Sequence, residues 1–229
     1  MTLDVAYLRS IPLFEDLPAD QLAAIAAHCR QRTYRAEEAI IHEKDPGESL
    51  YVIVQGTVKV SKTQPDGNAV FLAILAAGDT FGEMSLIDSM NRSADVATLE
   101  ETTLVAIDRP DFEHLVNTVP TFTRNMLRTL ARRLRLANAC IEALCTLDVE
   151  QRIARQIIAF AENYGRTLAN GDRLIPVRLT QGTLAEIVGA SRERVNQVMV
   201  YYRRKGYISV GSNYHITVHN AEELQMRMH

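Results

Sequence analysis

The sequence predicts an α+β protein: an N-terminal, jelly-roll-like β-roll, one long helix, and a C-terminal winged helix-turn-helix. Three observations predict it. Between Thr33 and Ile107 lie short β-like runs separated by turn residues, the pattern of a sandwich or barrel. From Pro120 to Leu147 apolar residues recur in a heptad seam. After Thr180, two short helical patterns meet at a glycine, as in a pair of helices joined by a tight turn. These observations divide the chain into residues 1–119, 120–147 and 148–229.

At 229 residues the chain is long enough to bury a real core and to hold two domains. It has no apolar run of membrane-spanning length, and the start MTLDVAYLRSIP lacks a basic segment followed by an apolar one. Cys29, Cys140 and Cys145 form no CxxC pair and no metal spacing, so a reducing cytoplasm is expected. The net charge of −3 conceals an asymmetry. Residues 1–120 carry 9 Lys+Arg against 19 Asp+Glu, a net of −10, and residues 121–229 carry 16 against 9, a net of +7. Only the back half suits a polyanion.

Residues 1–30 read as helical. Leu17-Pro18 opens a helix that runs through Leu22, Ile25 and Ala26. His28 and Cys29 follow near its end; adjacent residues on a helix do not face one site, and the two read as packing and surface. Strands are expected at Ala39–His42, Ser49–Gln55, Thr57–Ser61, Ala69–Leu75, Arg92–Thr98 and Thr103–Ile107. Turn signals at Asp45-Pro46-Gly47, Gln55-Gly56, Pro65-Asp66-Gly67 and Ala77-Gly78-Asp79 separate them.

The stretch from Phe81 to Leu86, with Asn91-Arg92-Ser93-Ala94 after it, carries different chemistry. Gly82 lets backbone N–H groups approach a ligand closely. Arg92 can grip a phosphate through its planar fork, and Ser93 adds a hydroxyl. The Glu83 carboxylate can accept from a ribose 2′-hydroxyl. The competing reading pairs Arg92 with Glu83 or Asp95 on the rim of the sandwich. Residues 111–118 then form a short helix with Phe112 and Leu115 facing inward.

In the long helix, Leu127, Leu130, Leu134, Ala137, Ile141 and Leu144 are spaced 3, 4, 3, 4, 3. That period of about 3.5 residues is a coiled-coil seam, narrower than the stripe of a surface helix. Arg128, Arg132, Arg133, Arg135, Asn138 and Glu142 flank it. The seam predicts a symmetric dimer over a helix packed on its own domain. Cys140 and Cys145 read as small packing residues.

Leu147-Asp148-Val149 is the expected hinge. Val149–Tyr164 is amphipathic, with Ile153, Ile157 and Phe160 on one face, and Arg173–Leu179 reads as a strand around Pro176. Thr180 caps a helix from Gln181 to Val188. Ala185 is small where a second helix must cross, Gly189 supplies the turn, and Ser191 caps a helix from Arg192 to about Lys205. Val195 and Val198 face back onto Leu184 and Val188. Tyr207–Val210 and Tyr214–Val218, joined by Gly211-Ser212-Asn213, read as a hairpin wing. The start of the second helix suits a major groove. Arg192 can fork onto guanine, Glu193 can accept from cytosine, and Gln197 can read adenine or touch the backbone. Arg178, Arg194, Arg203, Arg204 and Lys205 offer phosphate contacts. Six basic residues stand against two acidic ones from Arg178 to Lys205, which favours DNA over a solvated basic face.

Over nearly its full length the chain resembles the cyclic AMP receptor protein branch of the CRP/FNR transcription regulators. The resemblance is carried by Gly82-Glu83 with Arg92-Ser93, by Ala131-Arg132-Arg133-Leu134, and by Val188-Gly189-Ala190-Ser191-Arg192-Glu193. It implies a homodimer with an allosteric ligand, usually cAMP, held by Gly82, Glu83, Met84, Arg92 and Ser93, with Asn138 reaching the base. It also implies a pseudo-palindromic promoter site contacted through Thr180, Ser191, Arg192, Glu193, Arg194 and Gln197, and contact with RNA polymerase. Two positions depart from the family pattern. Ala137 stands where the family usually offers a threonine hydroxyl to the adenine. Gln197 replaces a basic residue that reads guanine, so a half-site related to TGTGA is expected, with a changed preference at that base. No P-loop, HExxH or GxSxG motif occurs, so no enzyme is expected. Lone Cys29 does not make the N-terminal cysteine cluster of oxygen-responsive relatives, and no metal is expected. The alternative function is a constitutive DNA-binding regulator controlled by its abundance.

Overall fold

A computed structural model describes residues 5–63 and 69–228; the expected Pro65-Asp66-Gly67 turn and residues 1–4 of the expected helical start lie outside the described residues. The chain forms two compact units, one running to Arg135 and the other from Leu136 onward.

In the first unit, α1 (Val5–Arg9) and α2 (Ala19–His28) precede β1 (Arg30–Tyr34), β2 (Ala39–Ile41), β3 (Ser49–Gln55), β4 (Thr57–Thr63), β5 (Ala69–Ala76) and β6 (Thr80–Phe81). Then come α3 (Met84–Ile87), β7 (Asp95–Thr98), β8 (Thr102–Asp108), α4 (Arg109–Thr118) and the long α5 (Pro120–Thr146). Two antiparallel four-stranded sheets result, in the orders β1-β8-β3-β6 and β2-β7-β4-β5. Side chains alternate along a strand, and both faces of the first sheet are covered. Tyr34, Ile53, Phe81 and Leu104 meet Ile41, Val58 and Val96 of the second sheet in the sandwich interior. Leu50, Val52, Val105 and Ile107 face the other way, onto Leu22 and Ile25 of α2, Phe112 and Leu115 of α4, and Phe122 and Met126 of α5. Buried Asn125 adds a polar tie, its amide donating to the carbonyls of Leu13 (3.3 Å) and Glu15 (2.7 Å).

The seam face of α5 behaves differently. Leu127, Leu134, Ile141 and Leu144 are 50–63% exposed in the single chain, while Leu130 packs partly on the first core. Cys140 and Cys145 are exposed, against the expectation that they pack.

The second unit holds the end of α5, then α6 (Val149–Tyr164), β9 (Arg166–Thr167), β10 (Arg173–Ile175), α7 (Gln181–Val188), α8 (Arg192–Arg204), β11 (Ile208–Val210), β12 (Ile216–Val218) and α9 (Ala221–Met226). Asp148 caps α6 in a reciprocal box with Gln151. Ile153, Ile157 and Phe160 are buried as expected, together with Leu184, Val188, Val195 and Val198. The small sheet runs β11-β12-β10-β9.

One strand was not expected, and two expected strands are markedly shorter. Residues 30–34 form β1, which no expected strand covers, because α2 closes when Cys29 N–H bonds to the Ile25 carbonyl and the chain then extends. Arg92–Ala94 is not strand: the Arg92 N–H and carbonyl bond across to Asp45 and Lys44 of a loop, and β7 begins at Asp95. β10 stops at Ile175, ahead of Pro176, which cannot donate to a ladder.

Candidate functional site

In the first unit the chain gathers its loops around a buried cation. Gly82 follows β6 with φ +86°, and a Cβ there would lie 2.7 Å from Arg92 Nη1 and 2.9 Å from the Ser49 carbonyl. Glycine therefore lets the guanidinium lie against the backbone. Arg92 is 7% exposed. Its Nη1 donates to the Gly82 carbonyl (2.7 Å) and Ser85 Oγ (3.0 Å), and its Nη2 to the Ser49 carbonyl (2.9 Å). Arg109 fixes the surrounding loops by donating to the carbonyls of Gly47 and Ser85. Burial pushes the Arg92 guanidinium below its ordinary value, and Tyr51, Glu83 and Asp45 push the other way. Among the described residues no carboxylate forms an ion pair with it. Asp95 is engaged elsewhere, accepting from the Glu43 N–H (2.8 Å) and Thr63 Oγ1 (2.9 Å).

Glu83 is 3% exposed. Arg133 Nη1 of α5 donates to its Oε1 at 2.6 Å, and Arg133 Nη2 donates to the Thr80 carbonyl. The other oxygen, Oε2, is buried and takes no hydrogen bond from a described residue. Next along α5, Arg132 lies 3.4 Å from Asp79. The loops thus hold a desolvated cation and a carboxylate with one unmatched oxygen, groups whose chemistry suits a phosphate and a hydroxyl.

Of the residues singled out in the sequence, Gly82, Glu83 and Arg92 are brought together. Ser93 is exposed, its hydroxyl donating to Met84 Sδ at 3.7 Å, and Met84 is also exposed. Asn138 is exposed on the part of α5 that belongs to the second unit. Ser85, the Ser49 carbonyl and the Glu83 partnership of Arg133 escaped the sequence reading. Arg133 lies 50 positions from Glu83, and nothing local marks that pairing.

In the second unit, Thr180 Oγ1 accepts from the Thr183 N–H at 3.1 Å and Ser191 Oγ from the Arg194 N–H at 3.2 Å. Gly189 joins the two helices in the left-handed conformation, φ 60°. Val195, Val198, Met199 and Tyr202 bury one face of α8, which leaves Arg192, Glu193, Arg194, Asn196 and Gln197 exposed together. Arg194 Nη1 donates to Gln197 Oε1 (3.2 Å), and Gln181 of α7 donates to Asn196 Oδ1 (2.8 Å). The outward groups include a guanidinium, a carboxylate and an amide on one rigid edge, the chemistry that reads base edges. In the wing, the Arg178 guanidinium lies over the Tyr214 ring at 5.2 Å.

A two-sheet sandwich followed by a long helix and a winged helix-turn-helix defines a class of DNA-binding protein. Comparison with known proteins gives the family. Residues 31–119 match the cyclic nucleotide-binding domain and residues 151–227 the Crp-like helix-turn-helix domain. The chain is 31% identical over 215 residues to the CRP-like cAMP-activated global transcriptional regulator of Mycobacterium tuberculosis, covering 94% of this chain and 95% of that protein. It is 30% identical to the cyclic AMP receptor protein of Thermus thermophilus, covering 89% and 91%. The crystal structure of the Thermus thermophilus catabolite activator protein superposes with a TM-score of 0.53 at 29% identity, over 95% of this chain and 98% of that one. FixK2 from Bradyrhizobium japonicum shares the fold, with a TM-score of 0.77 at 20% identity, over 86% and 96%. The chain belongs to the CRP/FNR family of transcription regulators, with a cyclic nucleotide-binding domain and a DNA-binding helix-turn-helix domain. Among the described residues no helix is long and apolar enough to cross a membrane.

Proposed function

We propose that the chain acts as a cytoplasmic homodimer whose affinity for promoter DNA is raised by cAMP. Residues 1–119 sense the nucleotide, 120–147 dimerise, and 148–229 bind a pseudo-palindromic, TGTGA-related site, from which the dimer contacts RNA polymerase. Gly82, Glu83, Met84, Arg92 and Ser93 hold phosphate and ribose, and Asn138 serves the base. Thr180, Ser191, Arg192, Glu193, Arg194 and Gln197 face the DNA. The observation that carries this reading is buried Arg92, held by neutral acceptors beside a Glu83 oxygen that takes no hydrogen bond from a described residue. A cyclic phosphate answers the first and a ribose 2′-hydroxyl the second. The names of the Mycobacterium and Thermus relatives support the choice of cAMP.

Ala137 favours a second reading, a constitutive regulator, because its methyl group neither donates to nor accepts from a base edge. Fluorescence anisotropy on a TGTGA palindrome at fixed salt separates the two, salt being fixed because phosphate contacts dominate affinity. Gating predicts at least about tenfold tighter binding with cAMP, about 1.4 kcal/mol of coupling, and loss of that gain in Arg92→Gln. Equal, tight binding with and without cAMP establishes the constitutive reading instead.

A further inference from the structure

On the outer face of the small sheet in the second unit, three side chains form a line of hydrogen bonds. Ile208, Ile216 and Val218 are buried on the inner face, so alternation along β11 and β12 turns the directly paired Ser209 and Thr217 outward. His219 follows β12, and Asp172 precedes β10. His219 Nδ1 lies 2.7 Å from Asp172 Oδ2, and His219 Nε2 lies 2.9 Å from Ser209 Oγ. None of the three is among the residues assigned above to nucleotide or DNA.

The chemistry of the partners fixes the proton positions. An ionised carboxylate only accepts. Asp172 Oδ2 accepts from His219 Nδ1 and from Asn170 Nδ2 (2.7 Å). The hydrogen bond from His219 is the main cause that holds the Asp172 carboxyl below its ordinary value. In the neutral imidazole the proton therefore sits on Nδ1, and the Nε2 lone pair accepts from the Ser209 hydroxyl. A serine oxygen held in this way passes its proton to the imidazole as it attacks a carbonyl carbon.

Two neighbouring features suit such an attack. β11 is the edge strand of its sheet. The His219 N–H donates to the Tyr207 carbonyl and the Gly211 N–H to the His215 carbonyl, so alternation turns the Val210 N–H away from β12, to the open edge. A backbone donor beside the nucleophile can meet the oxyanion that forms there. On the same outer face, Leu174 pairs with Thr217, and the Leu168 N–H bonds to the Asp172 carbonyl. Leu168 is 38% exposed. The two leucines make an apolar strip next to Ser209 and His219, which are themselves exposed.

We infer that Ser209 is an acylation site: a nucleophile, with His219 as its base and Asp172 positioning the ring, that takes a short apolar acyl group from an activated ester. Ser209 Oγ bonds to the carbonyl carbon while its proton passes to His219 Nε2. The bond from that carbon to the leaving oxygen breaks, and the imidazolium gives the proton to the leaving group. The product is an ester on Ser209.

The full-length protein is incubated with p-nitrophenyl butanoate, and acylated peptides are mapped and timed by mass spectrometry. Ser209 should acylate at least about a hundredfold faster than Ser212, an exposed serine of the same hairpin, since a positioned base contributes about 10²–10⁴-fold. The comparison lies within one wild-type molecule and needs no variant to fold. His219→Gln, checked for folding by circular dichroism, should bring Ser209 down to the rate of Ser212. Asp172→Asn should slow Ser209 and also move the His219 ring proton from Nδ1 toward Nε2, read from the ring nitrogen shifts by NMR. The p-nitrophenyl ester of succinate, with a charged acyl group of the same length, should react more slowly than the butanoate. Acylation of Ser209 no faster than Ser212 overturns the inference, as does an unchanged rate in folded His219→Gln. Equal rates for succinate and butanoate overturn the apolar acyl group.

Discussion

The pairing of Glu83 with Arg133 shows what one long-range contact does for the first unit. Glu83 is nearly sealed from water, and one of its oxygens depends on Arg133. Removing one partner of a buried pair leaves a charge without its counterion, which typically costs about 3–5 kcal/mol. Arg133→Leu should lose on the order of 3 kcal/mol, since Arg133 is itself one-quarter exposed. The Glu83→Gln, Arg133→Leu double variant should lose less than the sum of the two single changes, by about 1–3 kcal/mol. Urea unfolding of the four proteins in that cycle is the measurement, and strict additivity would show that the two side chains are not coupled. Ligand affinity should fall in Arg133→Leu as well, because freed Glu83 is no longer aimed.

Short elements depend on their ends. Ser191 caps α8 through the Arg194 N–H, so Ser191→Ala should cost about 1 kcal/mol of stability. Because the first turn of α8 carries Arg192, Glu193 and Arg194, fraying there should also weaken DNA binding, and Ser191→Asp should restore the cap but not the contact with a phosphate. Anisotropy alongside urea unfolding separates these effects. The wing sheet is tied by His219, which bridges Asp172 (2.7 Å) and Ser209 (2.9 Å). Accepting from His219, and then from Asn170, holds the Asp172 carboxyl below its ordinary value despite some desolvation. A depressed carboxyl stabilises the fold above its unfolded pKa, about 3.9, and loses that contribution as pH falls through the folded value. The stability margin of the wild type over Asp172→Asn should therefore shrink below about pH 4 in urea unfolding across pH. These elements also mark what the sequence makes legible. α7 and α8 lie where Thr180, Gly189 and Ser191 place them, since capping is local chemistry, and β3 shows itself by its apolar run. β1 does not: Arg30 to Thr33 are all exposed and only Tyr34 is buried, so no alternation betrays it. β6 and β9 are two residues each, too short for any period. In the site, Gly82, Glu83 and Arg92 were legible as a local motif, whereas the Ser49 carbonyl and Arg133 arrive through folding.

At the scale of the molecule, the exposed seam of α5 is the feature the single chain leaves unexplained. The first turns of α5 bury Phe122 and Met126 in the core of the first unit, and a second apolar row of Leu127, Leu134, Ile141 and Leu144 is exposed. A row that long, in heptad register, has the form that a second copy of the same helix completes by knobs into holes. Burying one such side chain contributes roughly 1.5–3 kcal/mol, and a two-fold interface counts each substitution twice. Leu134→Arg or Ile141→Glu should thus weaken the dimer by about 3–6 kcal/mol, or roughly 10²–10⁴-fold. Sedimentation velocity at micromolar concentration should find the variants monomeric and the wild type dimeric. Their second units, carrying intact α7 and α8, should still bind a single half-site weakly. They should lose the gain from two half-sites about 34 Å apart, because that gain requires both recognition helices on one particle. If Leu134→Arg and Ile141→Glu sediment as the wild type does, the seam is not a dimer contact, and the proposed coupling between nucleotide and DNA would have to run through another surface.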